Sequence, residues 1–118
     1  MIESELPGRE VARYIVMHRG IASARDTGQT MLYEPFGGWK PFRRKKDHVM
    51  IEDWKDDLSK RLIAMPKWAT DVDYLPTEDD LKDAVSDGVC ATPSGDDVEP
   101  DGHGPDGAPS WLMVFGLI

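Results

Sequence analysis

The chain has 118 residues and a formal net charge of −8 at pH 7. A chain of this length builds one domain, and its single cysteine, Cys90, excludes an internal disulfide and a zinc site made of several cysteines. Its first residues lack a basic region followed by an apolar one, and the longest apolar run, 111–115, is too short to cross a bilayer. We therefore expect a protein that is made in the cytoplasm and has no membrane partner.

Charge is distributed unevenly along the chain. Residues 1–70 contain 13 Lys or Arg and 10 Asp or Glu, whereas residues 71–118 contain one Lys and 12 Asp or Glu. A basic first part followed by an acidic second part steers association with charged partners, and it also permits contact between copies of the same chain.

The first segment of the chain fits two kinds of secondary structure. Residues 7–19 fit a helix, because one face is apolar and Pro7 and Gly20 lie where a helix starts and stops. The run Tyr14-Ile15-Val16 fits a strand as well. We favour the helix, and we predict that a short strand follows over 30–34.

Residues 48–65 give the strongest helix signal. Apolar residues recur at three- and four-residue steps, so they form one stripe, and Asp47 is the predicted N-cap. Oppositely charged pairs four residues apart lie on the other face. The stripe consists of Ile51, Trp54, Leu58, Leu62 and Met65, and the pairs are Asp56 with Lys60 and Asp57 with Arg61.

The acidic second part predicts a short helix and a small hairpin. Thr77 caps a helix over 78–86, and Gly88 ends it. Residues 89–92 predict a strand that returns through Val98 after a turn. The inward residues of the helix are predicted to be Leu81, Ala84 and Val85.

The end of the chain completes the predicted fold class. Residues 99–109 contain too much Gly and Pro for regular structure, and residues 110–118 are apolar and must dock, either on their own chain or on a partner. The fold is predicted as α+β, with one central amphipathic helix, one short helix, a few short strands and an extended Gly/Pro-rich C-terminal segment. We divide the chain into a single small domain over 1–98 and an extended C-terminal arm over 99–118.

Aromatic and basic residues interleave over 35–46, a segment without periodicity that predicts a loop or arm. Cations neutralise phosphates and aromatic rings stack on bases, so this composition suits single-stranded nucleic acid. It also suits docking onto an acidic protein surface or a plain solvated loop. Because the negative net charge disfavours a nucleic-acid binder, we favour protein partners, including copies of the same chain. The candidate residues are Phe36, Trp39, Lys40, Phe42, Arg43, Arg44, Lys45 and Lys46.

The apolar C-terminal segment supplies further candidates for partner binding, namely Trp111, Leu112 and Phe115. Catalytic candidates are lacking, because no serine or histidine lies in a recognisable signature. A weak cation-site candidate resembles the first half of an EF-hand loop, but Ala108 stands where the bidentate Glu belongs. We therefore predict no enzyme and no cofactor. The weak metal candidate consists of Asp97, Glu99 and Asp101.

Carboxylates are dense from residue 71 to residue 106. On a rigid surface they can imitate the phosphates of DNA and occupy a nucleic-acid-binding partner. The alternative function is therefore a small acidic inhibitor of a host nucleic-acid-handling protein. A solvated acidic face that keeps the protein soluble is the simpler interpretation.

The last part of the chain resembles small proteins of tailed bacteriophages of high-GC bacteria. The resemblance lies in residues 66–118, in the segments Trp68-Ala-Thr-Asp-Val-Asp-Tyr-Leu-Pro-Thr77 and Pro105-Asp-Gly107, and in the ending through Ile118. It implies a virion component (head, connector or tail accessory) or an accessory protein that acts against the host. Together with the charge pattern, it predicts a structural or assembly protein that works through protein–protein contacts.

Overall fold

The computed structural model describes residues 1–118 and shows a mixed α+β fold. A four-stranded antiparallel sheet is followed by four helices and a two-stranded hairpin. The strands of the sheet are β1 (Glu10–Val16), β2 (Gly20–Arg25), β3 (Gln29–Glu34) and β4 (Gly38–Arg44). The later elements are α1 (Ile51–Ile63), α2 (Lys67–Thr70), α3 (Glu78–Asp87), the hairpin strands β5 (Cys90–Ala91) and β6 (Asp97–Val98), and α4 (Trp111–Val114).

The sheet is a meander in the order β1-β2-β3-β4. The predicted strand over 30–34 is confirmed as part of β3. The helix predicted over 7–19 is wrong, because this segment is strand β1, and Ile15 lies opposite Ile21 of β2. The β-branched and aromatic run in β1 packs well on a pleated surface, and pairing with β2 satisfies its backbone.

The loop predicted over 35–46 is also wrong for most of its length. Gly38–Arg44 forms β4, an edge strand paired with β3. Proline is tolerated on an edge strand, and Pro41 lies opposite Met31 of β3. The pairing of β3 with β4 is irregular between Thr30 and Met31, so Phe42 has no direct partner.

One face of the sheet carries the main core. Ile15 and Ile21 join buried residues of the helices and of the C-terminal segment in a cluster of 11 residues. Leu6, Met31 and Trp39 form a smaller cluster, and Tyr33 packs against both. The sheet and the second half of the chain are therefore held together by one continuous layer of apolar side chains.

Two of the predicted helices are confirmed, with changed ends. α1 is shorter than predicted, its N-cap is Met50 rather than Asp47, and Leu58 is its only buried residue. α3 begins at the predicted cap, where Thr77 accepts the backbone N–H of Asp80, and it ends at Gly88. Val85 was predicted to face inward, but it is 65% exposed.

The C-terminal segment is docked on its own chain. Ser110 accepts the N–H of Met113 and so caps α4, and the rings of Trp111 and Phe115 stack at 5.7 Å. The turn at Gly116 lies against the β1–β2 turn, where an added Cβ would come within 2.7 Å of the His18 carbonyl oxygen. The predicted hairpin is confirmed by the pairing of Cys90 with Val98.

Candidate functional site

A basic groove lies between the end of β4 and helix α1. It has a volume of about 390 Å³ and is open to solvent. One wall is the strand end and the residues that follow it, the other is α1, and Tyr14 and Thr30 of the sheet lie between them. Five cations line the groove, with Asp53 and Asp57 as the only carboxylates. The cations are Arg43, Arg44, Lys45, Lys46 and Arg61.

The strand-side wall is fixed in place by the backbone. The side chain of Gln29 donates to the carbonyl oxygen of Arg43 at 2.8 Å, and the N–H of Lys45 donates to the Gly28 carbonyl at 2.9 Å. Gly28 has φ +88, and an added Cβ there would come within 2.8 Å of Cγ of Lys45. The basic segment is therefore an extension of β4 whose backbone is anchored, and ordering that backbone on binding costs little further entropy.

The irregularity in β4 affects the side chains beside the groove. Phe42 is the extra residue, and two guanidinium groups lie over its ring, that of Arg43 at 4.6 Å and that of Arg19 at 5.3 Å from the centroid. Such bulges re-aim side chains, and cation–π contact of this kind stabilises a guanidinium without neutralising it. Arg43 is thus positioned while its charge stays free for a partner.

The floor of the groove is partly apolar. Leu58 is buried, Trp54 is half-buried, and Thr30 lies under the strand end. Burial raises the pKa of the Tyr14 hydroxyl, and this shift is opposed by the nearby charges of Arg61 and Arg43 and by hydrogen bonding with Thr30. Tyr14 therefore remains a neutral hydrogen-bonding group at the base of a cationic site.

Most cations of the groove have no ion-pair partner in this chain. Arg61 pairs with Asp57 at 3.3 Å, as the four-residue spacing predicted. None of the four consecutive cations from Arg43 to Lys46 forms an ion pair. The groove thus presents an uncompensated positive surface, and its occupant should carry negative charge.

The other candidates of the 35–46 segment lie elsewhere. Trp39 is 4% exposed, packs in the smaller core cluster and contacts Tyr33 at 5.4 Å between ring centroids, so it is a core residue. Lys40 pairs with Glu34 at 2.8 Å. Phe36 is exposed at the β3–β4 turn and borders a separate apolar depression beside α3.

The C-terminal candidates are core residues as well. Trp111, Leu112 and Phe115 are all less than 9% exposed and belong to the main cluster. Their side chains pack against other residues of the same chain. Of the apolar end, only Leu117 and Ile118 stay exposed.

The three carboxylates of the weak metal candidate form a different arrangement. They belong to no group of three or more ligating side chains that could hold a metal ion. Instead, exposure alternates along the segment: Asp97, Glu99 and Asp101 are exposed, whereas Val98 and Pro100 are half-buried. We call the three carboxylates the acidic ladder.

The acidic ladder lies on backbone that is well anchored. Asp97 is held by the hairpin, and the Ser110 hydroxyl donates to the Pro100 carbonyl oxygen. The N–H of Gly102 donates to the Glu99 carbonyl at 2.7 Å, and the N–H of Ser110 donates to the Gly102 carbonyl at 3.1 Å. Like the four consecutive cations of the groove, the ladder makes no ion pair within the chain.

Several groove residues were not among the sequence candidates, and Arg61 and Tyr14 are two of them. Arg61 was assigned to a surface ion pair of α1, and Tyr14 to the apolar face of a helix. The spacing of Asp57 and Arg61 places them one turn apart on the same face of α1, but it does not show that Arg61 lines a groove. Their contribution to the groove depends on how α1 packs on the sheet, which no local pattern encodes.

Comparison of the chain with protein-family models, with curated proteins and with solved structures found no match in any of the three. None of the helices has both the length and the apolar character needed to cross a membrane.

Proposed function

We propose that the protein is a non-enzymatic assembly protein that works through protein–protein contacts, including contacts with copies of itself. The observation that carries this proposal is the separation of unpaired charge. Seven ion pairs form, and each lies either within residues 1–70 or within residues 71–118. The basic part and the acidic part do not neutralise each other in one chain, so both remain available to neighbouring chains.

Local complementarity can outweigh the repulsion between two chains of charge −8. At physiological ionic strength the Debye length is about 8 Å, so the net charges of two separate copies are largely screened. Opposite charges that meet at a contact are closer than this and still attract. Exposed pairs contribute about 0.2–1 kcal/mol each, so several are needed for a stable contact.

The resemblance of residues 66–118 to small proteins of tailed bacteriophages supports a place in a virion. A head, connector or tail accessory protein occupies a repeated array, in which each copy meets its neighbours through the same surfaces. Two unlike surfaces on one chain, a groove and a ladder, suit such head-to-tail contacts.

The mass of the protein in solution tests the proposal. We expect light scattering after size exclusion to give a multiple of 13.2 kDa at about 0.1 M salt and the monomer at about 1 M salt, where the Debye length falls from about 10 Å to about 3 Å. The double variant Arg43→Glu/Arg44→Glu should be monomeric at both salt concentrations. The matched control Arg9→Glu/Lys55→Glu reverses two unpaired cations outside the groove and should behave like the wild type. A wild-type monomer at both salt concentrations would contradict the proposal.

A second candidate function is favoured by the exposed side of α3. Asp79, Asp83 and Asp87 are exposed, form no ion pair and recur at four-residue steps, about 6 Å apart along the helix axis. Such a row suits an acidic inhibitor that occupies a nucleic-acid-binding protein. This candidate predicts that Asp79→Asn/Asp83→Asn/Asp87→Asn abolishes binding to such a partner in a pull-down from host lysate, with self-association unchanged. Unchanged capture of nucleic-acid-binding proteins would contradict it.

A further inference from the structure

We infer that the basic groove binds single-stranded nucleic acid, with phosphates on the strand-side wall and one base stacked on the ring of Trp54. This goes beyond the proposed function, because it gives the groove a ligand that is not protein and that competes there with a neighbouring chain. Three features of the groove support it: a tryptophan ring without a partner, a difference in charge between the two walls, and a size that suits one nucleotide.

Trp54 is the one tryptophan that the apolar clusters do not use. Trp39 and Trp111 are buried in the two clusters, and Trp68 packs against the larger one. Trp54 belongs to neither cluster, and no aromatic pair or cation–π contact of the fold involves it. Its half-buried side chain lines the groove instead. A ring placed in this way is a platform on which a nucleic-acid base can stack.

The two walls of the groove differ in charge. The strand-side wall carries the four cations of residues 43–46 and no carboxylate. The helix-side wall carries Asp53, Asp57 and Arg61, and Arg61 is already paired with Asp57. A phosphate backbone is therefore attracted to the strand side and repelled by the helix side, whereas an uncharged base is not repelled there.

The combination of these features favours a nucleic acid over an acidic segment of protein. Charge alone accepts either ligand, but a carboxylate side chain has no ring to stack on Trp54, whereas every nucleotide joins an anionic phosphate to a planar base. The groove volume of about 390 Å³ lies within the range of about 300–1,000 Å³ for pockets that hold a small organic molecule, such as one nucleotide. Because the groove is open to solvent, the strand can continue beyond it.

The negative net charge of the chain does not exclude this ligand. At physiological ionic strength, charges farther away than about 8 Å are largely screened, so the cations nearest to the strand decide the attraction. Arg43, Arg44 and Lys46 are exposed and form no ion pair within the chain. Neutralising phosphates with such cations releases counterions, so binding should weaken steeply as salt is added.

A strand without bases separates stacking from charge. Fluorescence anisotropy at low salt compares a labelled strand of ten deoxythymidines with an abasic strand of the same length, which carries the same phosphates. The wild type should bind the strand with bases about tenfold more tightly. Trp54→Leu should remove this preference without weakening binding of the abasic strand, and Trp54→Phe should restore part of it. The matched control is Phe36→Leu, which removes an exposed ring outside the groove and should leave the preference unchanged.

The comparison of the two strands on the wild type needs no variant to fold, and circular dichroism shows whether each variant does. Equal binding of the two strands by the wild type, or binding of neither, overturns the inference. A labelled peptide of ten glutamates that binds as tightly as the deoxythymidine strand also overturns it, because the groove then recognises charge alone.

The same variants keep this inference distinguishable from the proposed function. Trp54→Leu changes no charge, so its mass in solution should equal that of the wild type while its preference for bases is lost. A wild type that associates at low salt but does not distinguish the two strands would overturn the inference and leave the proposed function standing. A wild type that stays monomeric but prefers the strand with bases would do the reverse.

Discussion

The two faces of the four-stranded sheet are covered in different ways. On one face, Ile15 and Ile21 pack into a closed core with α3 and α4. On the other face, α1 contributes a single buried residue, Leu58, and open grooves of about 580 Å³ and about 390 Å³ border it. The closed face carries the main apolar cluster, and burial with close packing is what makes such a cluster stabilising. The loosely covered face retains accessible space, and this is where the basic groove lies.

The largest expected effect is on the closed face. Trp111→Ala removes a side chain that is 4% exposed and stacks on Phe115, so we expect a loss of about 3–5 kcal/mol in the free energy of unfolding. Urea denaturation at neutral pH measures it. The exposed Leu117→Ala serves as the control and should change stability by less than about 0.5 kcal/mol. A small effect of Trp111→Ala would show that the C-terminal segment contributes little to the core.

A smaller effect is expected on the open face. Leu58→Ala removes the one buried contact of α1, and we expect a loss of about 2 kcal/mol, at the low end for a buried leucine, because water already reaches the grooves on both sides. Ile63→Ala, at a position 84% exposed on the same helix, is the control and should be nearly neutral. If Leu58→Ala proved as costly as Trp111→Ala, the contrast between the two faces would not hold.

The smallest expected effect concerns the cap of α3. Asp80 accepts the backbone N–H of Thr77 and the hydroxyl of Tyr74, and these bonds lower the pKa of its carboxyl. A group whose pKa is lower in the folded state stabilises the fold above its unfolded pKa, and this stability is lost as the pH falls through the folded value. Asp80→Asn should thus cost about 0.5 kcal/mol at pH 7 and nothing at a pH below the folded pKa.

Urea midpoints measured from pH 7 downward test this pH dependence. The control is Asp83→Asn, because Asp83 lies on the same helix but makes no hydrogen bond. This variant should change the urea midpoint by a small amount that does not depend on pH. A constant difference between the wild type and Asp80→Asn across the range would contradict the role given to the carboxylate.

Local signals explain which parts of the fold the sequence could predict. α1 was found from its apolar stripe, and α3 from the capping residue Thr77 and the terminal Gly88, because these signals depend on neighbouring residues only. β1 and β4 were missed, because a strand depends on pairing and on packing against other elements, which its own composition does not show. In β4, Pro41 and the extra residue Phe42 also hide the alternation.

The sequence predicted only the part of the candidate site that a local run of residues encodes. The run from Arg43 to Lys46 is visible in the sequence as charge, and the structure places all four residues in one groove. Burial of Trp39 was not predictable, since an aromatic residue among basic neighbours can face either way. Docking of the segment that contains Trp111 was predicted, but the sequence left open whether it docks on its own chain or on a partner. The ladder emerged only with the alternating exposure of residues 97–101.

Zero-length cross-linking of mixed chains tests most directly whether the basic part of one copy contacts the acidic part of another. A carbodiimide joins a lysine amine to a carboxylate when the two form an ion pair, and mixing chains that carry natural and heavy nitrogen separates links between copies from links within one. We expect links between copies that join Lys45 or Lys46 to carboxylates of residues 71–118 at low salt, and their loss at high salt. Links between copies at other positions only, or none at all, would contradict the account.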